Sequence, residues 1–272
     1  MKYALITGAS AGIGAEIAKQ LAARGYNIIL TARRKDRLKE FCQELQTEFN
    51  VKVDYFAADL AEPDAPQALY DFCKSKNYDV EVLINNAGYG LPAPFHKTPM
   101  EQEEKFIRVL GISVIALTKL FIPDMLKAKN GYIMIVSSVA SFAPPSTIQV
   151  LYGPIKTFMN RFSDAMNISY KYRGISSTSV CPGFVITEFH SASGTQKEMD
   201  KVPAFMKLDV ESVAEEGLDA MFKRKRMSIP SKRYKIIVFL IKYAPKLVSL
   251  LSNRLTGGRS VSYTHLTLPT KA

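Results

Sequence analysis

Cysteine is scarce in this chain: Cys42, Cys73 and Cys181 stand far apart and odd in number among 272 residues. That spacing excludes a disulfide framework or a CxxC metal site, and no metal is expected. It fits a reducing cytoplasm, the expected location. Long apolar runs are missing as well. The longest strongly apolar run, Ile236–Ile241, spans six residues and ends at Lys242, whereas a membrane-spanning helix needs about 20. The opening MKYALITGAS lacks a basic segment followed by an apolar one, so no cleaved signal peptide is expected. Internal repeats are also absent.

Acidic residues stop at Ala220. From Met221 to Ala272 there are 12 Lys and Arg and no Asp or Glu; the first 220 residues hold the other 24 basic and all 25 acidic residues, net −1. The formal charge of +11 therefore divides into a nearly neutral body and a basic tail. No base-reading motif accompanies the charge, and nucleic acid is not an expected partner.

What is present is an alternation. Apolar runs at Tyr3–Thr7, Asn27–Thr31, Lys52–Phe56, Val80–Asn85, Gly131–Ser137 and Ser176–Cys181 read as strands. Amphipathic stretches at Gly14–Arg24, Lys35–Glu48, Ala65–Lys76, Glu103–Leu126 and Ile155–Lys171 read as helices. A final strand is expected at Met227–Pro230. Strands alternating with helices imply βαβ units, hence an α/β doubly wound three-layer sandwich around a mostly parallel sheet of about seven strands.

Chemistry is concentrated in a few motifs. Thr7-Gly8-Ala9-Ser10-Ala11-Gly12-Ile13-Gly14 joins the first strand to the first helix. Gly8 allows a tight turn, Gly12 a close approach to phosphate, and Gly14 close helix–strand packing. The helix N-terminus then offers free N–H groups to an anion. Later come Asn85-Asn86-Ala87-Gly88, Ser137-Ser138, Tyr152-Gly153-Pro154-Ile155-Lys156, and Pro182-Gly183 with Val185 and Thr187.

In this order, over roughly residues 2–190, these motifs resemble the short-chain dehydrogenase/reductase family. Finer texture resembles its bacterial DltE-like and 3-oxoacyl reductase members. The resemblance implies a nicotinamide oxidoreductase of the Rossmann type with cofactor and catalysis in one domain, residues 1–230. It assigns Ser138, Tyr152 and Lys156 to catalysis. It assigns Gly8, Ser10, Ala11, Gly12, Ile13, Gly14, Asp59, Leu60, Asn86, Ala87, Gly88, Pro182, Gly183, Val185 and Thr187 to the cofactor, with Tyr152 and Lys156 touching it too. It also implies a homodimer or homotetramer built on the helices near residues 105–126 and 155–171.

Cofactor choice follows from the end of the second strand, Leu30-Thr31-Ala32-Arg33-Arg34. An NAD enzyme needs an acid there for the ribose 2′-hydroxyl, and Ala32 cannot supply it. Arg33 and Arg34 suit a 2′-phosphate, so NADP(H) is preferred, with NAD(H) as the second choice. Ala11 stands where many NADP-preferring relatives carry a basic residue.

Tyrosine, with an ordinary pKa near 10, needs nearby cations to work as an acid–base group at neutral pH. Lys156 lies four residues on, on the same helical face. It is expected to lower the phenol's pKa and hold the ribose, while Ser138 positions the substrate oxygen. Pro154 is tolerable only in the first helical turn. Two features depart from the family. The Ser138–Tyr152 separation is one residue longer than usual, with the extra residue expected in Ser146–Leu151. Leu110 stands where many members have an asparagine that helps hold the proton relay. That substitution keeps a redox-inactive NADP(H) sensor or scaffold in view as the rival reading.

The substrate side is expected to be apolar, from Tyr89, Leu91, Pro92, Pro94, Phe95 and His96 and a lid over Glu188–Leu208 that lacks strand character, with His96 at the surface. A small hydrophobic carbonyl or alcohol substrate follows. Residues 231–259 read as a basic amphipathic extension, with Ile236, Phe239, Leu240, Tyr243, Leu247, Leu250 and Leu251 on one face and Pro245 as a kink. Such a helix could rest on an anionic membrane, or pack on the body or a second subunit. Residues 260–272 (SVSYTHLTLPTKA) resemble a translated sequencing-adapter tail and read as non-native, a disordered native terminus being the alternative.

Overall fold

The computed structural model describes residues 2–144 and 149–243. The elements run β1 (Lys2–Thr7), α1 (Gly12–Ala23), β2 (Asn27–Ala32), α2 (Lys35–Phe49), β3 (Val53–Ala57), α3 (Ala65–Ser75) and β4 (Asp79–Asn85). There follow α4 (Met100–Ile107), a π-turn at Arg108–Ile112, α5 (Ser113–Ala128), β5 (Gly131–Val136), α6 (Tyr152–Tyr170) and β6 (Ile175–Val180). The last part holds β7 (Phe184–Val185), α7 (Phe189–Ala192), α8 (Gln196–Asp200), β8 (Lys207–Leu208), α9 (Val210–Phe222), β9 (Met227–Ser228) and α10 (Lys232–Tyr243).

Seven strands pair in the order β3-β2-β1-β4-β5-β6-β9, every pair parallel. Alternation along each strand builds two cores, because successive side chains leave opposite faces of a sheet. Leu5, Ile29, Leu83, Ile133 and Ile135 meet α3, α4, α5 and α6 through Leu69, Phe106, Leu117, Phe121 and Met159. Ile6, Ile28, Leu30, Ile84 and Met134 meet α1, α2 and α9 through Ile17, Leu21, Leu38, Leu45 and Leu218. Strand order reverses between β1 and β4, and the crevice beyond the strands' C-terminal ends is where such sheets take ligands.

Several boundaries differ from those read in the sequence. The helix expected at Glu103–Leu126 is a longer run with a π-turn inside it. The run Met100–Ala128 is, among the described residues, long and apolar enough to cross a membrane by length and composition, and 56% of its apolar window is buried. Phe106, Val109, Leu110, Val114, Leu117 and Phe121 account for that burial as core residues. The final strand is shorter, Met227–Ser228. The lid expected to lack strand character holds α7, α8 and β8, and β8 pairs with β7.

On α10 the apolar face grouped in the sequence turns mainly outward. Tyr234 and Val238 are buried, while Ile236, Phe239 and Tyr243 are about 60% exposed. The inward stripe is therefore Tyr234, Ile237, Val238 and Ile241, a spacing of three and four. Tyr234 explains the choice: its Oη accepts from Phe184 N at 3.1 Å and donates to Met206 O at 2.8 Å. Polarity that looks outward in a sequence is satisfied inward here. The expected Pro245 kink, the remaining apolar positions Leu247, Leu250 and Leu251, and the 260–272 tail lie outside the described residues.

Candidate active site

The glycine turn is held from two sides. Thr7 Oγ1 donates to Ile84 O at 3.2 Å and accepts from the backbone N–H groups of Asn86 (2.9 Å) and Ala87 (3.0 Å). The Asn86 amide donates to Thr7 O at 2.9 Å and Gly8 O at 3.2 Å. The Asn86 side chain thus braces the turn through its Nδ2, while Asn86 also lines the cleft. Gly8 sits at φ +66, and a side chain on it would meet Ala87 Cα at 2.8 Å. Thr7 went unassigned in the sequence, although the Thr-Gly pair is its signal.

A cleft of about 1530 Å³ opens beyond this turn. Its walls include Gly8, Ser10, Ala11, Gly12, Ile13, Arg33, Arg34, Asp59, Leu60, Asn86, Ala87 and Gly88 at one end. Ser138, Tyr152, Lys156, Pro182, Gly183, Val185 and Thr187 line the other. All the expected cofactor and catalytic positions except Gly14 therefore share one crevice. Gly14 acts beneath it: a Cβ there would lie 2.4 Å from Gly8 O. The cradle of small residues, the helix N-terminus and the arginines beside it fit a dinucleotide bearing an extra phosphate. Arg34 reaches back to Ser10 Oγ through Nε (3.2 Å) and Nη2 (3.0 Å), and Arg33 is exposed beside it. Asp59 accepts from Ala61 N at 3.0 Å, a loop brace at the cleft edge.

Tyr152 opens α6, which places Pro154 in the first turn, where its missing N–H costs nothing. The Tyr152 ring stands between Phe106 and Phe189, with centroids 6.5 and 6.4 Å away. Desolvation pushes its phenol up to about 12, and a hydrogen bond with Ser138 pulls the other way. Lys156 is buried, and desolvation brings its ammonium down to about 8. Its Nζ donates to Val136 O at 2.8 Å and lies 5.6 Å from the Tyr152 ring centroid. The sequence predicts a phenol drawn down by Lys156. In the structure burial dominates instead, and Ser138 supplies the hydrogen bond. The Cys181 thiol is held up at about 11 by burial, so it is protonated and unreactive at neutral pH.

Leu110 lies inside the π-turn, 1% exposed, with its Cγ 3.8 Å from where a Gly88 side chain would begin. It is a packing residue, as its apolar side chain requires. Gln149, in the stretch expected to carry the extra residue, turns the chain at φ +61, and its carbonyl accepts from Tyr152 N at 3.0 Å. The rest of that expectation, at residues 146–148, lies outside the described residues.

On the substrate side, Tyr89 lines the cleft, but Leu91, Pro92, Pro94, Phe95 and His96 do not. Gly90 N donates to Ser193 Oγ at 2.8 Å, tying this segment to the lid. His96 is exposed, as expected. Apolar lining comes instead from Phe158, Phe184, Phe189, Met199, Met206, Ile237 and Ile241. The apolar face read in the sequence did not include Ile237 or Ile241, so the contribution of α10 to the cleft went unforeseen.

The sequence profile described as short chain dehydrogenase matches residues 2–198. The very-long-chain 3-oxoacyl-CoA reductase of Rattus norvegicus is 31% identical over 218 residues, covering 78% of this chain and 68% of the relative. A solved short-chain dehydrogenase from Sphingobium yanoikuyae in complex with NADPH superposes with TM-score 0.80 at 26% identity, covering both chains fully at 100%. An alcohol dehydrogenase from the archaeon Thermococcus sibiricus, complexed with 5-hydroxy-NADP, gives TM-score 0.74 at 26% identity over 86% of this chain and 97% of that one. Fold, motif order and sequence profile agree: this chain belongs to the short-chain dehydrogenase family.

Proposed function

We propose that this protein reduces a hydrophobic ketone or aldehyde to its alcohol with NADPH, and that 3-oxoacyl thioesters are the first class to try. The observation that carries this reading is the meeting of Ser138, Tyr152 and Lys156 with the glycine turn in one apolar-walled cleft. Similarity to 3-oxoacyl-CoA reductases supports the thioester, and the NADPH- and NADP-type ligands of similar solved structures support the cofactor. When bound, the nicotinamide supplies a hydride to the carbonyl carbon. Ser138 Oγ holds the carbonyl oxygen, the Tyr152 hydroxyl gives that oxygen its proton, and the Lys156 charge stabilises the phenolate left behind. Residues 1–230 carry this chemistry, with α10 closing the substrate end through Ile237 and Ile241. NADPH oxidation across a panel of 3-oxoacyl thioesters, bulky ketones and aldehydes tests the reading. Cofactor binding without reduction of any of them would favour the redox-inactive sensor.

The two buried groups fix the pH dependence. Reduction needs Tyr152 protonated, which holds up to about 12, and Lys156 charged, which fails as pH rises through about 8. Reduction is therefore expected to be level below about 8 and to fall above it. Alcohol oxidation needs the phenolate together with charged Lys156, so it is expected to climb with pH up to about 8 and to level off above it. Initial rates in both directions against pH check this. Reduction that accelerates above pH 8 would show that Lys156 has another role.

The outer face of α10 supports a second element of the proposal, a peripheral contact with anionic membrane. Exposed Ile236, Phe239 and Tyr243 alternate with Lys232, Lys235 and Lys242 on a helix that also walls the cleft. Apolar side chains flanked by lysines suit an anionic lipid surface. Flotation with anionic vesicles should recover the protein at low salt and release it at high salt. Ile236→Glu with Phe239→Glu should abolish recovery while leaving the fold intact. Equal recovery of wild type and variant would remove this element.

A further inference from the structure

The lid carries a carboxylate that sits on Arg34, one of the two arginines expected to receive a phosphate, and on its neighbour Arg37. Glu188 follows Thr187 at the start of the lid. Its Oε2 is 3.1 Å from Arg34 Nη1 and 2.7 Å from Arg37 Nη1, and its Oε1 is 2.9 Å from Arg37 Nη1. Arg34 is the same residue that reaches Ser10 in the glycine turn. Thr187 presses on that turn too, since a Cβ on Gly12 would lie 3.2 Å from its own Cβ. Thr187 and Glu188 thus cover the phosphate end of the cleft from above. Both arginines stand at the N-terminus of α2, where the helix dipole already disfavours cations. Asp36 lies in that first turn, and Glu188 adds a second carboxylate from a distant part of the chain, directly on the two guanidiniums. Its carboxyl is held below the usual range by Arg37 and Arg34, so it is ionised at neutral pH.

We infer that Glu188 is a cofactor-selectivity residue: its carboxylate competes with the 2′-phosphate of NADP(H) for Arg34, and binding of that cofactor transfers Glu188 to Arg37 alone. This rests on the NADP(H) reading above. A carboxylate and a phosphate cannot share one guanidinium edge without repulsion, and Arg37 gives the displaced carboxylate somewhere to go. The competition penalises only the phosphorylated cofactor. NAD(H) has no group to displace Glu188 and binds under a lid that stays latched.

Equilibrium titrations of NADPH and NADH fluorescence on the full chain test this without turnover. Glu188→Gln is expected to tighten NADPH by about threefold to tenfold, the range of a partly exposed ion pair and a charge-assisted bond, with NADH unchanged. In an Arg34→Ala background, Glu188→Gln should no longer affect NADPH. Weaker NADPH binding in Glu188→Gln, or an equal gain for NADH, would overturn the inference, as would an undiminished gain in the Arg34→Ala background. Arg34→Ala alone keeps the two readings apart. If it weakens NADPH and spares NADH, the phosphate assignment stands, and a silent Glu188→Gln counts against the latch only. If it affects neither cofactor, the assignment of Arg34 itself has failed.

Discussion

Tyr152→Phe is expected to lower turnover by about 10²–10⁴, the usual worth of a positioned general acid, with NADPH affinity unchanged. The substitution removes one oxygen and keeps the ring. The packing of that ring between Phe106 and Phe189 survives, so loss of fold is not an outcome. What disappears is the proton donor and the hydrogen bond with Ser138. Since this interaction matters most as charge develops on the substrate oxygen, kcat and kcat/KM should fall together, with little change in KM. Steady-state kinetics paired with a fluorescence titration of NADPH measures both. Turnover that survives would show that another group delivers the proton, and Ser138 would be the first to replace in turn.

Gly14→Ala is expected to destabilise the fold by about 3 kcal/mol, the upper end for an overpacked site, and to abolish NADPH binding. The added Cβ would lie 2.3 Å from Asn86 Nδ2 and 2.4 Å from Gly8 O. The amide could swing aside only by giving up its bonds to Thr7 O and Gly8 O. The carbonyl belongs to a residue already at φ +66 and tied into the turn. Relief must therefore come from moving the turn, and that shifts the N–H groups meant for the pyrophosphate. Gly25→Ala is the matched control. Gly25 lies at φ +82 with nothing within 4 Å of its would-be Cβ, so alanine there costs about 1–2 kcal/mol of backbone strain and spares the cofactor site. Urea denaturation and NADPH titration of both variants separate a steric effect at Gly14 from a general glycine effect.

Much of this architecture was legible because it depends on runs and spacings. β1 to β6 are marked by apolar stretches bounded by turn residues, and each lies within a residue or two of its expected ends. The shared crevice was legible too, since the motifs sit at the C-terminal ends of parallel strands and the fold must bring them together. The misreadings concern single polar atoms and irregular backbone. Nothing in Arg108-Val109-Leu110-Gly111-Ile112 announces a π-turn. The sequence did not show that the Asn86 Nδ2 also ties Thr7 O and Gly8 O together. On α10, counting apolar residues grouped Ile236, Phe239 and Tyr243 on one face without deciding whether that face turns to the body or away from it. The actual choice turned on a Tyr234 hydroxyl with two backbone partners, and on Gly183, where any Cβ would fall about 2 Å from the Tyr234 ring. The ion pairs of Glu188 lie 154 and 151 residues from their partners along the chain, a separation no local pattern encodes.

Catalysis in this cleft predicts one transfer that can be followed atom by atom. NADPH carrying deuterium at the transferable position, incubated with the protein and a 3-oxoacyl thioester or another panel ketone, should give an alcohol with one deuterium on the former carbonyl carbon, seen by mass spectrometry. Tyr152→Phe should bind the same cofactor and give almost none. Tight cofactor binding with no deuterium in any alcohol would contradict the assignment of this site to hydride transfer.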